Sequence, residues 1–217
     1  RQKRNAASLQ ALRPLFSVIE VLLAETSQQK LEDFFLSSAS DLFRASWVAI
    51  HLVEEDGSFS PLRVSETAAA QTSQVVEIIH SLSNGAGAGR VCDRLSFGED
   101  WAQEQLRQAG LEAILVAPVK RNRSFVFSAA REHGQGCFTH TDLELFTLLT
   151  HQAAVALENA WLYAELKETI HRVEGSRQAL VQVEKMAAVG RLVASMAHEI
   201  NNPLQAVRNC LHLATRK

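Results

Sequence analysis

Cysteine is scarce in this chain and badly spaced for pairing. Cys92, Cys137 and Cys210 are the only three in 217 residues. The odd number and the lack of any CxxC pair exclude a disulfide framework and a structural zinc site, and fit a reducing cytoplasm, which is the expected location. An excess of one charge is lacking too. Lys and Arg number 22 against 24 Asp and Glu, a net charge of −2, so there is no electrostatic footprint for nucleic acid or an anionic membrane. No apolar run reaches the ~18 residues that a bilayer span needs, and no signal peptide is present. No membrane contact is therefore expected here. The chain starts at Arg1 rather than Met and reads as a piece of something longer, which could be membrane-anchored elsewhere. Hydrophobic residues make up 47%, enough to bury one core plus an extension or small second domain.

Three textures follow one another along the sequence. Residues 7–45 read as two helices. Leu12, Leu15, Phe16, Ile19, Leu22 and Leu23 recur at three- and four-residue spacing in the first, and Leu31, Phe34, Phe35, Leu42 and Phe43 mark the second. The period then changes. Residues 47–53 read as a strand stopped at Glu54-Glu55-Asp56-Gly57, a hairpin signal, with 59–64 returning. Residues 71–83 and 101–108 read as helices, and 113–119 and 125–130 as strands joined by the basic turn Lys120-Arg121-Asn122-Arg123. Between them, Asn84-Gly85-Ala86-Gly87-Ala88-Gly89 lacks the GK[ST] of a phosphate loop and reads as a linker. Helices on a run of hairpins make an α+β layer domain.

The last third returns to helix. Thr141-Asp142-Leu143-Glu144 has a capping-box pattern and starts it. Leu145, Leu148, Leu149, Ala153, Val155 and Ala156 cover much of the circumference, so this part is expected to pack on the preceding domain. Past Ala160 the stripe narrows to Leu162, Leu166, Ile170, Val173, Leu180, Val183 and Ala187 among charged residues. A narrow stripe on a long helix suits an identical partner in a parallel coiled coil. Gly175-Ser176-Arg177 interrupts it and marks a weak point.

Chemistry concentrates in His198-Glu199-Ile200-Asn201-Asn202-Pro203-Leu204. In a helix His198 and Asn202 stack on one face, with Glu199 at the flank of the imidazole. A neutral imidazole is a competent nucleophile toward a phosphoryl group, and an adjacent carboxylate can take its second ring proton. Pro203 has no N–H and presses on the carbonyl of Glu199, so a bend is expected just past the histidine.

This segment resembles the phosphoacceptor H-box of two-component sensor histidine kinases. Residues 184–197 before it look like the start of the first helix of their dimerisation and phosphotransfer domain. By order of elements, and by Cys137-Phe138-Thr139-His140-Thr141-Asp142-Leu143-Glu144-Leu145-Phe146 leading into a long exit helix, residues 25–160 resemble a GAF domain. The implied organisation is an N-terminal helix (1–24), a GAF sensory domain (25–160), a coiled-coil signalling helix (161–184) and a partial phosphotransfer domain (185–217). The implied fold is a GAF-like antiparallel sheet flanked by helices, then a long helix that enters a four-helix bundle in a homodimer.

The implied activity, when full length, is ATP-dependent autophosphorylation of His198, followed by transfer to the receiver domain of a response regulator. Glu199 would be the general base, and Asn202 would position water for the reverse dephosphorylation. ATP and Mg²⁺ would be held on the protein's own ATP-binding domain, so this stretch is expected to be inactive alone. The alternative is a non-enzymatic GAF regulatory and dimerisation module.

No GAF ligand is expected. Cyclic-nucleotide-binding members carry an Asn-Lys…Phe…Asp-Glu pattern, against Ala130-Arg131, Phe138, Asp142 and Leu143 here. Bilin-binding members use a cysteine commonly followed by histidine, and Cys92 is followed by Asp93. His51 and His80, the histidines a haem could use, read as satisfied packing.

Overall fold

A computed structural model of the chain describes residues 2–54, 56–65, 72–83, 90–93 and 100–214. The linker expected at Asn84–Gly89 lies outside them. The chain divides into two compact units, Arg1–Tyr163 and Ala164–Lys217.

Unit 1 begins with α1 (Gln2–Ala24) and α2 (Gln28–Phe43), followed by β1 (Trp47–Val53), β2 (Phe59–Val64), α3 (Thr72–Ser83), β3 (Arg90–Asp93), α4 (Asp100–Gln108), β4 (Leu111–Lys120) and β5 (Ser124–Glu132). The strands form one antiparallel sheet in the order β2-β1-β5-β4-β3. Sequence periodicity anticipates four of these strands. It gives no sign of β3, whose four residues are too few to display an alternation.

Alternation along the central strands decides which helices cover which face. Val48 and Ile50 of β1, Leu115 and Ala117 of β4, and Phe125, Phe127 and Ala129 of β5 share a core with Leu15, Leu22, Leu31, Phe35 and Phe146 from the helices. Trp47, Ala49, Val116, Val126 and Ala130 pack on the other face with Val75, Ile78, Ile79 and Leu82 of α3 and Leu106 of α4. The antiparallel sheet is thus sandwiched between two helical layers, as an α+β fold of this kind requires.

Turns and caps fix the ends. Gly57 takes φ +83° in the β1–β2 turn, and the Ser58 amide donates to Asp56 Oδ1 at 2.8 Å. α2 ends with Arg44 at φ 48°, an unusual left-handed conformation outside glycine. The Arg131 guanidinium donates to the Phe43 carbonyl and to the Cys137 carbonyl, both at 2.8 Å, and lies 4.2 Å over the Phe138 ring.

The last helix, α5 (His140–Ala214), is a single helix of 75 residues. Its cap sits two residues earlier than the sequence pattern suggested. Asp142 N–H donates to Thr139 Oγ1 at 3.1 Å and Thr139 N–H donates back to Asp142 Oδ2 at 2.8 Å. The reciprocal box is therefore Thr139–Asp142, because an aspartate in the third position closes the pair as a glutamate does. Phe146, Leu149, Ala153, Ala154, Ala156, Leu157 and Ala160 are buried, while Leu148, expected inside, is 40% exposed. The helix continues through both Gly175 and Pro203.

Phe127 is fully buried, with ring centroids 5.0 Å from Phe35 and 5.9 Å from Phe125. Phe127→Ala is expected to cost about 3–5 kcal/mol, and Thr139→Ala about 1 kcal/mol, in urea unfolding of the chain. A Cβ on Gly175 would meet nothing within 4 Å. Gly175→Ala should therefore raise helix stability by about 1 kcal/mol, visible as a gain in helical circular dichroism on warming.

Candidate functional site

The described residues of unit 2 are the later part of α5, from Ala164 onward, and their described side chains are exposed. His198, Glu199, Asn202 and Pro203 all lie on this helix, on the surface. Helical geometry brings His198 and Asn202 onto one face, four residues apart, and sets Glu199 about 100° around from His198. Pro203 takes away the N–H that would bond the Glu199 carbonyl, leaving that oxygen without its intrahelical partner. Around these groups lie Met196, Ile200, Leu204 and Val207, each 56–60% exposed. A nucleophile, a carboxylate and an amide thus stand on an accessible surface bordered by apolar side chains. Among the described residues no cluster of three or more His, Cys, Asp or Glu could hold a metal ion.

Unit 1 holds a second constellation that the sequence reading misjudged. His51 is fully buried, and among the described residues neither ring nitrogen has a hydrogen-bond partner. It is not satisfied packing. Trp47 Nε1 and Ser128 Oγ are buried and unpartnered in the same way. All three lie on one side of the sheet. Trp47 belongs to the α3/α4 core, His51 falls between Ala49 and Val53 of that face, and Ser128 between Val126 and Ala130. The β1–β2 register shifts between Ile50 and His51, where Pro61 of the edge strand stands opposite the histidine. Proline there leaves no N–H to contribute.

Burial pushes the His51 pKa down to about 4, because a charged imidazole would be desolvated there. The face therefore offers an indole donor, a hydroxyl and a neutral imidazole with one donor and one acceptor, and no charge from these three groups. Phe59 packs edge-on to His51 at 6.4 Å and to His80 at 5.1 Å. On its outer side Phe59 lines a groove of about 400 Å³ with Gly57, Val76, Glu77 and His80. Sequence signals could have found His51 only as a polar residue on an apolar strand. Its missing partners are a property of the packed sheet.

Arg131, which falls within the region compared with the cyclic-nucleotide pattern, is committed elsewhere. Its bonds to Phe43 and Cys137 tie α2 to the approach of α5. Among the described residues no helix is long and apolar enough to cross a membrane.

The family model of the GAF domain matches residues 25–158, more than half of the chain. No curated protein matches it in sequence. Among solved structures, it is similar to the GAF domain of a protein described as a sensor histidine kinase from Pseudomonas syringae pv. tomato. That match has 15% identity and a TM-score of 0.52, covering 77% of this chain and 98% of that one. The far-red absorbing dark state of JSC1_58120g3, with bound biliverdin IXa, matches at 16% identity and TM-score 0.54, covering 68% and 98%. GAF3 of Slr1393 from Synechocystis sp. PCC6803 matches at 15% and 0.52, covering 64% and 99%. At such identities the likeness is one of fold.

The unpartnered groups make two measurable marks. Ser128→Ala removes an unsatisfied hydroxyl and should stabilise unit 1 by about 1–2 kcal/mol at pH 7. His51 takes up its proton near pH 6.5 when unfolded but only near 4 when folded, so the unfolded state binds the extra proton between those values. Stability should fall as pH drops from 6.5 to 4, by up to about 3 kcal/mol from this group, and level off below. His51→Phe should flatten that part of the unfolding free energy measured against pH.

Proposed function

The chain belongs to the GAF domain family, and from that premise we propose that it is the sensory and phosphoacceptor portion of a two-component sensor histidine kinase. One observation carries the reading: His198, Glu199 and Asn202, with Pro203 behind them, stand exposed together on the helix that leaves the GAF domain. Phosphoryl transfer needs an aligned nucleophile and neutralised charge rather than extensive covalent machinery from the protein. The neutral imidazole of His198 attacks the γ-phosphoryl group, and Glu199 accepts the second ring proton. General-base help of this kind is worth ~10²–10⁴ in rate. ATP and Mg²⁺ are held by an ATP-binding domain outside these residues. In the return direction Asn202 positions the water that dephosphorylates the receiver domain of a response regulator.

The same reading assigns the remaining exposed apolar residues of α5. Leu162, Leu166, Ile170, Val173, Leu180 and Val183 are 48–66% exposed. They pair with a second copy as a parallel coiled coil over residues 161–184, and residues 185–217 supply the first helix of a four-helix bundle. The input half draws support from Trp47, His51 and Ser128. An uncharged molecule that hydrogen-bonds to these atoms removes the desolvation penalty that they carry unpaired.

In the full-length protein with labelled ATP and Mg²⁺, His198→Gln should abolish acid-labile phosphate. Glu199→Gln should slow its appearance by about 10²–10⁴, and Asn202→Ala should spare labelling while prolonging the life of the phosphorylated regulator. Undiminished labelling of His198→Gln would overturn His198 as the acceptor, and absence of label from the unaltered full-length protein would leave a non-enzymatic GAF regulatory and dimerisation module as the reading.

A further inference from the structure

Two carboxylates are buried among the described residues, Glu32 at 3% and Glu158 at 7% exposure. They belong to one connected network. Glu158 sits on α5, half a turn before Ala160, the last buried residue among those described on the helix. Its Oε2 accepts from Arg121 Nε at 2.7 Å, and its Oε1 accepts from the Arg123 backbone N–H at 3.3 Å. Both donors come from the β4–β5 turn. The Arg123 guanidinium lies 4.2 Å from the ring centre of Trp161, and Trp161 stacks on Phe125 of β5 at 5.4 Å with 12° between the planes. The Trp161 indole N–H donates to Gln28 Oε1, and Gln28 Nε2 donates to Glu32 Oε1 at 2.8 Å. Three elements, the β4–β5 hairpin, α2 and α5, are therefore joined through two consecutive positions of one helix face.

The placement matters as much as the bonding. One residue after Trp161, Leu162 is 57% exposed, and the described positions beyond are exposed as well. The network thus grips α5 at the end of its buried stretch. A buried carboxylate with both oxygens occupied, one by a guanidinium, is costly to release and strongly geometry-dependent. An apolar contact would tolerate sliding; this one does not.

We propose that the β4–β5 turn, Glu158 and Trp161 form a latch that fixes the last buried turn of α5 to the paired inner strands β4 and β5. A shift of the hairpin is passed to the helix through Arg121 and Arg123, and loss of those bonds frees the helix end while the sheet stays folded. The latch goes beyond the phosphoacceptor reading and does not depend on the role of His198.

Hydrogen exchange of the whole chain tests it. Arg121→Ala leaves the strands intact, since Arg121 is exposed, and Glu158→Ala removes both oxygens. Amides of residues 159–163 should exchange at least about tenfold faster in either variant, with residues 47–53 of β1 unchanged. A second readout separates transmission from mere support. Ser128→Val overpacks β5 three residues from Phe125, and it should alter exchange at 159–163 only while Arg121 is present. Unchanged exchange at 159–163 in Arg121→Ala would overturn the latch. So would an equal rise in β1, or a response to Ser128→Val that persists without Arg121. Should Glu158→Ala fail to fold, Arg121→Ala decides alone.

Discussion

β5 pairs with β1 on one side and β4 on the other, and a strand in that position is covered on both faces. Helices must then lie on both sides of the sheet, because each face of the strand carries side chains that water would penalise. β5 meets the requirement with Phe125, Phe127 and Ala129 toward α1, α2 and α5, and with Val126 and Ala130 toward α3 and α4. Ser128 is the exception among its buried positions. Across the β1–β5 register it faces Ala49, flanked by Trp47 opposite Ala130 and His51 opposite Val126. The polar positions of the sheet interior are thus adjacent pairs on one face rather than scattered faults. A face that leaves several donors and acceptors unpaired costs stability, and in the proposed reading it is the face that takes up a ligand.

Much of this architecture was legible from side-chain period. The limits of β1 and β2 follow from apolar alternation and the Asp56-Gly57 turn, and α2 and α3 from three- and four-residue spacing. What period could not supply is partnership. The capping box was displaced by two residues because Thr139 and Thr141 offer the same hydroxyl, and only the observed bonds to Asp142 tell them apart. His51 reads as satisfied in the sequence because buried histidines usually are, and no local pattern encodes the absence of a neighbour. β3 escaped because it pairs at an edge through four residues. The segment from His198 to Leu204 stands differently. Its residue types and spacing were plain in the sequence, and the structure adds that they are accessible and share one helix.

Within the proposed reading, the spacing of the exposed stripe on α5 has a further consequence. Leu166, Ile170 and Val173 step by four and then three residues, whereas Leu180, Val183 and Ala187 step by three and then four. Continuing the first order would place Arg177 and Glu184 on the stripe. The change of order falls beside Gly175, where the helix has the least side-chain reason to prefer one packing. A fully buried apolar residue is worth about 1.5–3 kcal/mol, so several on each side hold a dimer while two registers stay close in energy. Small energy gaps of that kind are what a switch requires.

The two faces of β5 then have complementary parts. Ser128 belongs to the face with unpaired polar atoms and Phe125 to the face that stacks on Trp161, three residues apart on one hydrogen-bonded strand. Interiors packed at crystal density do not absorb a displacement locally; they pass it to whatever is rigidly attached. The rigid attachment on the far side is Glu158, held by two donors from the β4–β5 turn. If the proposed latch has two positions of the hairpin, a molecule that pairs with the polar atoms can bias α5 only as far as its affinity differs between them. The penalty of the unpaired atoms sets that difference, at roughly 1–3 kcal/mol for each group satisfied in one position and not in the other. Satisfying two of the three would suffice to shift a balanced equilibrium strongly to one side. A domain with every buried polar group paired would be more stable, and would have no such free energy to pass on to its helix.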